Sequence, residues 1–400
     1  MDLNINFAGV PFENPFTVAA SPSSDSREKV RRALEAGWGG IVFKTTALPQ
    51  HSPKLAEPNM AGLSYAGKPQ FAFYNIDLIS ERTVEEIQED IAYFKQHYPD
   101  RRFIGSIMAA GEDEWIELVH RLEEAGADMI ECSMSCPQGE HSIADEGKKA
   151  SNAIPAADRE LMRTTTQTIL RARKKNTPVI VKMTPNVTDL VDVARGAVEG
   201  GADALCCIDT VRGFIGIDLE TGYPKLNVNG LSTWGGLSGP AVKPIALGCV
   251  SKLTKELDIP VAGVGGVSNW QDAAEFLLLG ARNVQVCTAI SRYGFGMVQS
   301  MQKGLLRYME QKGFTSLDAM VGKSLPYLVD HSELSRDNHL HCTIDETACL
   351  KCGSCTTACQ DAGFGALHHE KGSVPTLDKA VCRGCGVCQS VCPRDCITLR

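Results

Sequence analysis

The sequence predicts an α/β fold: a (β/α)8 barrel of the TIM-barrel type over residues 1–312, a linker at 313–342 and a small cysteine-rich domain at 343–400. Short apolar runs alternate with amphipathic helical patterns, and glycine-containing phrases such as EAGWGG and EGGAD close helices just before the next apolar run. This alternation requires a parallel sheet, because each crossover helix returns the chain to the same edge. Eight such units in about 300 residues match a closed barrel.

The predicted elements begin with a short hairpin, since Leu3 to Phe7 alternates apolar and polar residues before a turn at Gly9-Val10-Pro11. Strands are predicted at Phe16–Ala20, Gly40–Phe43, Phe103–Ile107, Asp128–Cys132, Val179–Lys182, Asp203–Ile208, Pro260–Ala262 and Asn283–Val286, and helices at 26–36, 83–97, 112–125, 158–174, 188–200, 241–257 and 269–279. A long excursion at 45–80 reads as irregular, and its length indicates a functional insertion at the barrel top.

A doubly wound sheet is the alternative fold. It would carry a GxGxxG turn at a strand end, and no such turn occurs in that context in this sequence. The same observation leaves the chain without a recognisable nicotinamide or FAD site. We therefore expect electrons to arrive from another protein.

Composition restricts the classes of partner. The chain has 43% hydrophobic and 22% charged residues, as globular proteins do, and its formal net charge of −8 gives no electrostatic footprint for nucleic acid or an anionic membrane. The N-terminus lacks the basic and apolar regions of a signal peptide, and no run approaches a membrane span. We expect a cytoplasmic protein whose cysteines are thiols rather than disulfides.

The C-terminal domain repeats one cysteine spacing, CxxCxxCxxxC, twice. Such runs hold two [4Fe–4S] clusters in two-cluster ferredoxins, where the fourth cysteine of each run ligates the other cluster. One cluster is expected on Cys349, Cys352, Cys355 and Cys392, and the other on Cys382, Cys385, Cys388 and Cys359. Zinc is the alternative, but zinc sites use separated CxxC pairs rather than a doubled run. The spacing predicts a ferredoxin-like 2[4Fe–4S] domain.

Active sites of such barrels lie at the C-terminal ends of the strands. Those ends carry Lys44-Thr45, Ser133 to Pro137, Lys182, Asp209-Thr210, Gly263 to Gly266 and Cys287-Thr288. Bare backbone N–H groups at glycines suit a phosphate, and two lysines suit a ring that accepts negative charge, so the set indicates FMN. Each residue alone has a plainer explanation, such as a solvated lysine, a turn or a buried cysteine.

The barrel resembles the dihydroorotate dehydrogenase family, and the whole chain resembles the catalytic subunits of NAD-dependent dihydropyrimidine dehydrogenases. Matching stretches are NPF (14–16), EAGWGG to VFKT (35–45), SIM (106–108), IECSMSCP (130–137), KMTPNVTD (182–189), GLSGPAVKPIAL (236–247), GVGGV (263–267) and NVQVCTAI (283–290), followed by the two cysteine runs. The resemblance implies an FMN-dependent reduction of an activated C=C bond in a pyrimidine ring, with electrons passing through the clusters from an NAD(P)H-oxidising FAD and iron–sulfur subunit. An oligomeric assembly is part of the same expectation.

The resemblance also implies roles for individual residues. FMN would contact Ala20, Ser21, Lys44, Thr45, Lys182, Gly239, Gly265, Gly266, Cys287 and Thr288. Cys136 would be the general acid, because a cysteine near its ordinary pKa of about 8.5 is mostly protonated at neutral pH. Residues 137–152 would form a lid that brings Cys136 over the substrate.

The substrate contacts depart from the family. Ser133 and Asp209 occupy positions where the family has asparagines that hydrogen-bond the pyrimidine, and Thr210, which follows Asp209, is expected to contact the substrate as well. The family also has an asparagine after SIM, and this sequence has none there. A carboxylate only accepts hydrogen bonds, so Asp209 favours a donor-rich or cationic ring. Another nitrogen heterocycle or conjugated carbonyl compound is therefore an alternative substrate. Dihydroorotate oxidation and a pure electron-transfer relay are two further candidate functions.

Overall fold

A computed structural model describes residues 2–65, 68–134, 155–337 and 340–400. The chain divides into two compact units, Met1–Tyr327 and Leu328–Arg400. Cys136 and the lid predicted at 137–152 lie outside the described residues.

The first unit is built on a closed barrel of eight parallel strands, as the sequence predicts. Its strands are β1 (Ile5–Phe7), β2 (Val10–Phe12), β3 (Phe16–Val18), β4 (Gly40–Val42), β5 (Met60–Tyr65), β6 (Lys68–Asn75), β7 (Arg102–Ile107), β8 (Met129–Ser133), β9 (Val179–Met183), β10 (Ala204–Cys207), β11 (Val211–Gly213), β12 (Gly235–Ser238), β13 (Val261–Val264) and β14 (Ala281–Val286). The barrel closes in the order β10-β13-β14-β3-β4-β7-β8-β9, and β1 and β2 form the predicted hairpin. Each of the eight predicted strands is present.

Helices connect the barrel strands and cover the outside of the barrel. They are α1 (Arg27–Ala36), α2 (Val84–His97), α3 (Glu112–Ala125), α4 (Arg159–Ala172), α5 (Leu190–Gly200), α6 (Lys243–Glu256), α7 (Trp270–Leu278), α8 (Thr288–Tyr293) and α9 (Met297–Lys312). The side chains of Ser26, Thr83, Asp158, Asp189 and Asn269 cap the N-termini of five of them. The sequence analysis does not predict α8 and α9, which follow the last strand. No helix in the described ranges is both long and apolar enough to cross a membrane.

A second sheet lies beside the barrel. The excursion at 45–80 reads as irregular in the sequence, but the structure has two strands there, β5 and β6, which join β11 and β12 in an antiparallel sheet of order β11-β12-β6-β5. Asn75 of β6 pairs with Gly236 of β12. β6 has one partner close in the chain, β5, and one far from it, β12, so local patterns can reveal only part of this sheet.

The second unit contains the cysteine runs and two short helices, α10 (Ser354–Asp361), which carries Cys355 and Cys359, and α11 (Val387–Ser390), which carries Cys388. Two antiparallel ribbons complete it, one formed by β15 (Cys342–Ile344) and β18 (Ile397–Leu399), the other by β16 (Leu367–His368) and β17 (Thr376–Leu377). Its core is small and consists mainly of cysteine sulfurs with a few aliphatic side chains. A domain of this size with so little apolar core needs an additional source of stability, and a bound cluster supplies one.

Candidate active site and cluster sites

Two adjoining cavities open at the C-terminal ends of the barrel strands. The larger cavity has an empty volume of about 960 Å³ and the smaller one about 590 Å³, and both volumes include the solvent-filled opening. They share Ala20, Lys182, Asp209, Thr210, Ser238, Cys287 and Thr288 in their walls. Together they form one elongated site that runs from the second sheet to the loops after β13 and β14.

The structure brings together all the predicted barrel residues that it describes. Ala20, Ser21, Lys44, Thr45, Ser133, Lys182, Asp209, Thr210, Cys287 and Thr288 line the larger cavity, and Gly239, Gly265 and Gly266 line the smaller one. These positions come from eight different segments of the chain. Their convergence follows from the barrel, which places the ends of all parallel strands on one face.

Lys182 lies at the bottom of the site, in the interior of the barrel. Its Nζ donates to Glu131 Oε1 at 3.4 Å, and Gln285 Nε2 donates to Glu131 Oε2 at 2.9 Å. Burial alone lowers the pKa of Lys182, but the charges of Glu131 and Asp209 outweigh it and the net pKa is raised. Lys182 is therefore a permanent cation directed at the cavity that it lines.

Lys44 is a second buried lysine that lines the larger cavity. Its Nζ lies 3.1 Å from Asp77 Oδ2 and 3.9 Å from Asp25 Oδ2, and only 4% of the residue is exposed. Asn59 Nδ2 donates to Asp77 Oδ1 at 3.3 Å. Burial raises the pKa of Asp77, although Lys44 opposes that shift. Asp25, Asp77 and Asn59 together hold the Lys44 side chain in one orientation at the cavity wall.

The loop after β13 provides a narrow cradle of bare backbone. Gly265 and Gly266 adopt φ values of +128° and +77°, which disfavour any residue with a side chain. A Cβ at Gly266 would lie 2.7 Å from Lys243 Cβ and 2.9 Å from the Lys243 backbone nitrogen. Lys243 cannot easily yield, since its Nζ contacts Asp272 at 2.7 Å and Glu275 at 2.8 Å. A side chain at Gly266 would therefore displace the loop that lines the smaller cavity.

Hydroxyl groups complete the polar lining of the cradle. Thr288 Oγ1 donates to Ser238 Oγ at 2.9 Å, and both residues line both cavities. Gln285 also lines the smaller cavity, and its buried Oε1 has no hydrogen-bond partner among the described residues. Hydroxyls and glycine backbone suit a phosphate ester, and the two lysines suit an electron-accepting ring. The described residues thus fit FMN.

Several residues of the site are not among those that the sequence analysis selects. Asn75 lines the larger cavity and donates through Nδ2 to Gly236 O at 3.2 Å. Asp77 follows two residues later and pairs with Lys44, while Glu131 pairs with Lys182. Asn75 ends the run PQFAFYN, whose aromatic residues are a strand signal, and Asp77 lies two residues beyond that run. Glu131 stands within an apolar strand, where a charged residue is itself a signal of a buried partner.

The cysteine runs surround two separate cavities in the second unit. One is lined by Cys359, Cys382, Cys385 and Cys388, together with Cys342; the other is lined by Cys349, Cys352, Cys355 and Cys392, together with Cys396. Among the residues that the structure describes, no group of three or more Cys, His, Asp or Glu side chains has the geometry of a site for a single metal ion. Four sulfurs spread around a cavity instead suit a four-iron cube, which offers one iron to each cysteine.

Comparison with known proteins agrees with both units. The family model "Dihydroorotate dehydrogenase" matches residues 2–309, and "4Fe-4S dicluster domain" matches residues 342–399. The chain is 39% identical over 406 residues to "NAD-dependent dihydropyrimidine dehydrogenase subunit PreA" of Escherichia coli, covering 100% of this chain and 95% of that protein. It is 33% identical over 345 residues to "Dihydropyrimidine dehydrogenase (NADP(+)), chloroplastic" of Arabidopsis thaliana, covering 83% and 79%.

A dihydroorotate enzyme also resembles the chain, but over a smaller share of it. The catalytic subunit of "Dihydroorotate dehydrogenase B (NAD(+))" from Pyrococcus abyssi is 33% identical over 329 residues, which cover 81% of this chain and 99% of that subunit. The Escherichia coli protein, in contrast, matches the chain through the cysteine runs as well.

Proposed function

The chain belongs to the dihydroorotate dehydrogenase family, whose barrel it joins to a 4Fe–4S dicluster domain, and on this basis we propose that it is a dihydropyrimidine dehydrogenase-type oxidoreductase acting on a CH–CH bond. It reduces an activated C=C bond in a pyrimidine-like heterocycle, with uracil or thymine to the 5,6-dihydro form as the default reaction. The observation that supports this proposal is the elongated site formed by the two adjoining cavities, which is lined by two buried lysines, a glycine cradle and Asn75.

FMN is the cofactor that this family binds, and the described residues fit it. Gly239, Gly265, Gly266, Ser238 and Thr288 would hold the ribityl phosphate, while Lys44 and Lys182 would contact the ring system. When bound, FMN supplies the hydride of the reduction. The chain's own contribution is to keep two cations next to the ring, where negative charge develops on reduction.

Substrate binding falls to the larger cavity. Asn75, Ser133, Asp209 and Thr210 line its wall, and their amide, hydroxyl and carboxylate groups can hydrogen-bond a ring that carries both N–H and C=O groups. Cys136 is proposed as the proton donor to the carbon next to the one that receives the hydride. The lid proposed at 137–152 would exclude water while the proton moves.

Electrons reach the barrel through the second unit. Two [4Fe–4S] clusters would bind to the two sets of four cysteines from the repeated runs, each set lining its own cavity. A partner subunit that oxidises NAD(P)H with FAD would supply the electrons, in line with the designation of the Escherichia coli relative as an NAD-dependent subunit. A cytoplasmic location and an oligomeric assembly are part of the same proposal, because exposed clusters and free thiols require a reducing compartment.

A second candidate has one specific observation in its favour. Asp209 lines the cavity where an asparagine would offer a donor as well as an acceptor, and its carboxylate interacts with the charge of Lys182. A site built for one hydrogen-bond pattern rejects another by about 10⁴-fold. The same reduction of a different, donor-rich nitrogen heterocycle is therefore the second candidate.

Anaerobic purification followed by substrate screening tests the proposal. We expect bound FMN, about eight irons per chain from two four-iron clusters, and reduction of uracil or thymine with a low-potential electron donor. Cys136→Ala is expected to lose ring reduction while dye reduction by the flavin persists. If only different heterocycles turn over, the second candidate is correct. If orotate is the substrate, or if Cys136→Ala leaves ring reduction intact, the proposal is wrong.

A further inference from the structure

Each cluster cavity contains one cysteine more than a cluster needs. Beyond the four cysteines from the repeated runs, Cys342 lines one cavity and Cys396 lines the other. Both are largely buried, with 5% and 8% of the residue exposed. Neither belongs to the repeated spacing, so the function proposed above does not use them.

One ribbon places both additional thiols. Cys342 is the first residue of β15 and pairs with Leu399 of β18, whereas Cys396 directly precedes β18 at the other end of the ribbon. The ribbon is closed by backbone hydrogen bonds at both ends, between His341 and Arg400 at 2.8 and 2.9 Å, and from Asp345 N to Cys396 O at 2.8 Å. A single rigid element thus fixes one additional thiol beside each cavity.

The additional thiols contact the sulfurs of the expected cluster ligands. Cys396 Sγ lies 3.3 Å from Cys392 Sγ and is also within hydrogen-bonding reach of Cys349. Cys342 is within hydrogen-bonding reach of Cys382 and Cys388. Each additional thiol therefore meets two ligand sulfurs of its own cavity. The two halves of the domain repeat the same arrangement.

We propose that Cys342 and Cys396 are non-ligating thiols that donate S–H hydrogen bonds to the cysteine ligands of the two clusters, one thiol to each cluster, and so raise both reduction potentials. Hydrogen bonds to ligand sulfurs are among the factors that set the potential of an iron–sulfur cluster. The reduced cluster carries one more negative charge than the oxidised cluster, so a donor stabilises the reduced state more. Both residues are positioning residues rather than ligands.

This inference rests on the two clusters of the proposed function. Its physical consequence is a higher reduction potential at each cluster, since the same kind of donor acts at both clusters. Loss of one donor would make that cluster harder to reduce and slow electron delivery to the barrel. The effect would appear at one cluster only, because each thiol lines only one cavity.

The test is a redox titration of the anaerobic protein, monitored by the EPR signals of the reduced clusters. Cys396→Ala and Cys342→Ala are each expected to keep about eight irons and to shift one cluster to a lower potential. One hydrogen bond of about 1 kcal/mol corresponds to about a fivefold change in the one-electron equilibrium. Cys396→Ser and Cys342→Ser retain a donor and are expected to restore the potential.

Each outcome bears on the proposal. Unchanged potentials in both alanine variants would refute it, and loss of iron from either would show that the cysteine is a ligand. If an alanine variant does not fold, the serine variant decides, because a serine potential below that of the unchanged protein contradicts hydrogen-bond donation. Cys249→Ala, on α6 of the barrel unit, is the control and leaves both potentials unchanged. Absence of clusters from the unchanged protein would instead refute the proposed function.

Discussion

Lys182 Nζ lies 3.4 Å from Glu131 Oε1 in the interior of the barrel, where Glu131 has no exposed surface. The pairing follows from strand register, because Lys182 of β9 is level with Ser133 of β8, two residues beyond Glu131. Residues that are two positions apart along a strand have side chains on the same face of the sheet, so Glu131 and Ser133 share a face. Glu131 thus compensates the charge of Lys182 from below while the cavity lies above.

Removing one member of this pair is expected to destabilise the barrel. Glu131→Gln leaves the Lys182 cation buried without its counter-ion, which costs about 3 kcal/mol of unfolding free energy. Urea unfolding followed by tryptophan fluorescence reports on the barrel alone, because all four tryptophans belong to the first unit. The double variant Glu131→Gln with Lys182→Met is expected to recover part of that loss. An unchanged unfolding free energy for Glu131→Gln would contradict the pairing.

The glycine cradle gives a prediction for FMN binding. Gly266→Ala would force a Cβ to within 2.7 Å of Lys243 Cβ at a φ of +77°, so the loop must move. We expect the affinity for FMN to fall by at least about fivefold, since one strained residue costs of order 1–3 kcal/mol. Flavin content after gel filtration and fluorescence titration of the flavin-free protein measure it. Gly248→Ala, exposed on α6 with open space around it, is the control and keeps its FMN.

The sequence predicts the barrel and most of its candidate site because both depend on local patterns. Apolar runs and glycine helix ends place the eight strands, and a barrel then brings the strand ends together whatever residues they carry. Asn75 escapes this reasoning because its strand pairs across a long separation with β12, as in the pairing of Asn75 with Gly236, and Asp77 lies two residues beyond that strand. Likewise, the contact between Glu131 and Lys182 depends on register, which alternation within one strand does not determine.

The carboxylate of Asp209 gives a prediction for substrate choice. Asp209→Asn would offer an amide that both donates and accepts, and it would remove a negative charge that acts on Lys182. If the site disfavours pyrimidines because of this carboxylate, kcat/KM for uracil is expected to be at least about tenfold higher in Asp209→Asn than in the unchanged protein. This is the size of effect expected from one hydrogen bond to a buried group. Steady-state assays with a low-potential donor measure it.

Glu220→Gln is the matched control for Asp209→Asn. It removes an equal charge from an exposed position in the segment between β11 and β12, and we expect no change in kcat/KM. A fall in kcat/KM for uracil in Asp209→Asn would show that the carboxylate itself binds the ring.

Glu123 on α3 gives a prediction about pH. Its carboxylate is 2% exposed and accepts hydrogen bonds from the backbone nitrogens of Lys174 at 2.8 Å and Lys175 at 3.0 Å, which anchors the chain before β9. Burial alone would raise the pKa of Glu123, but these backbone hydrogen bonds outweigh it and the net pKa is lowered. A carboxyl whose folded pKa is lowered stabilises the fold above its unfolded pKa of about 4.3 and loses that contribution as the pH falls through the folded pKa.

Glu123→Gln is therefore expected to be less stable than the unchanged protein at pH 7, by about 1–3 kcal/mol, because an amide cannot accept from two N–H groups through both of its terminal atoms. The difference between the two proteins is expected to shrink as the pH falls below about 4.3, the unfolded pKa of a glutamate, and to shrink further through the lowered pKa of the folded protein. Urea unfolding followed by tryptophan fluorescence at both pH values measures the difference. Glu124→Gln, the exposed neighbour on the same helix, is expected to have no comparable effect at either pH. A difference that stays constant with pH would show that Glu123 acts through packing rather than through its charge.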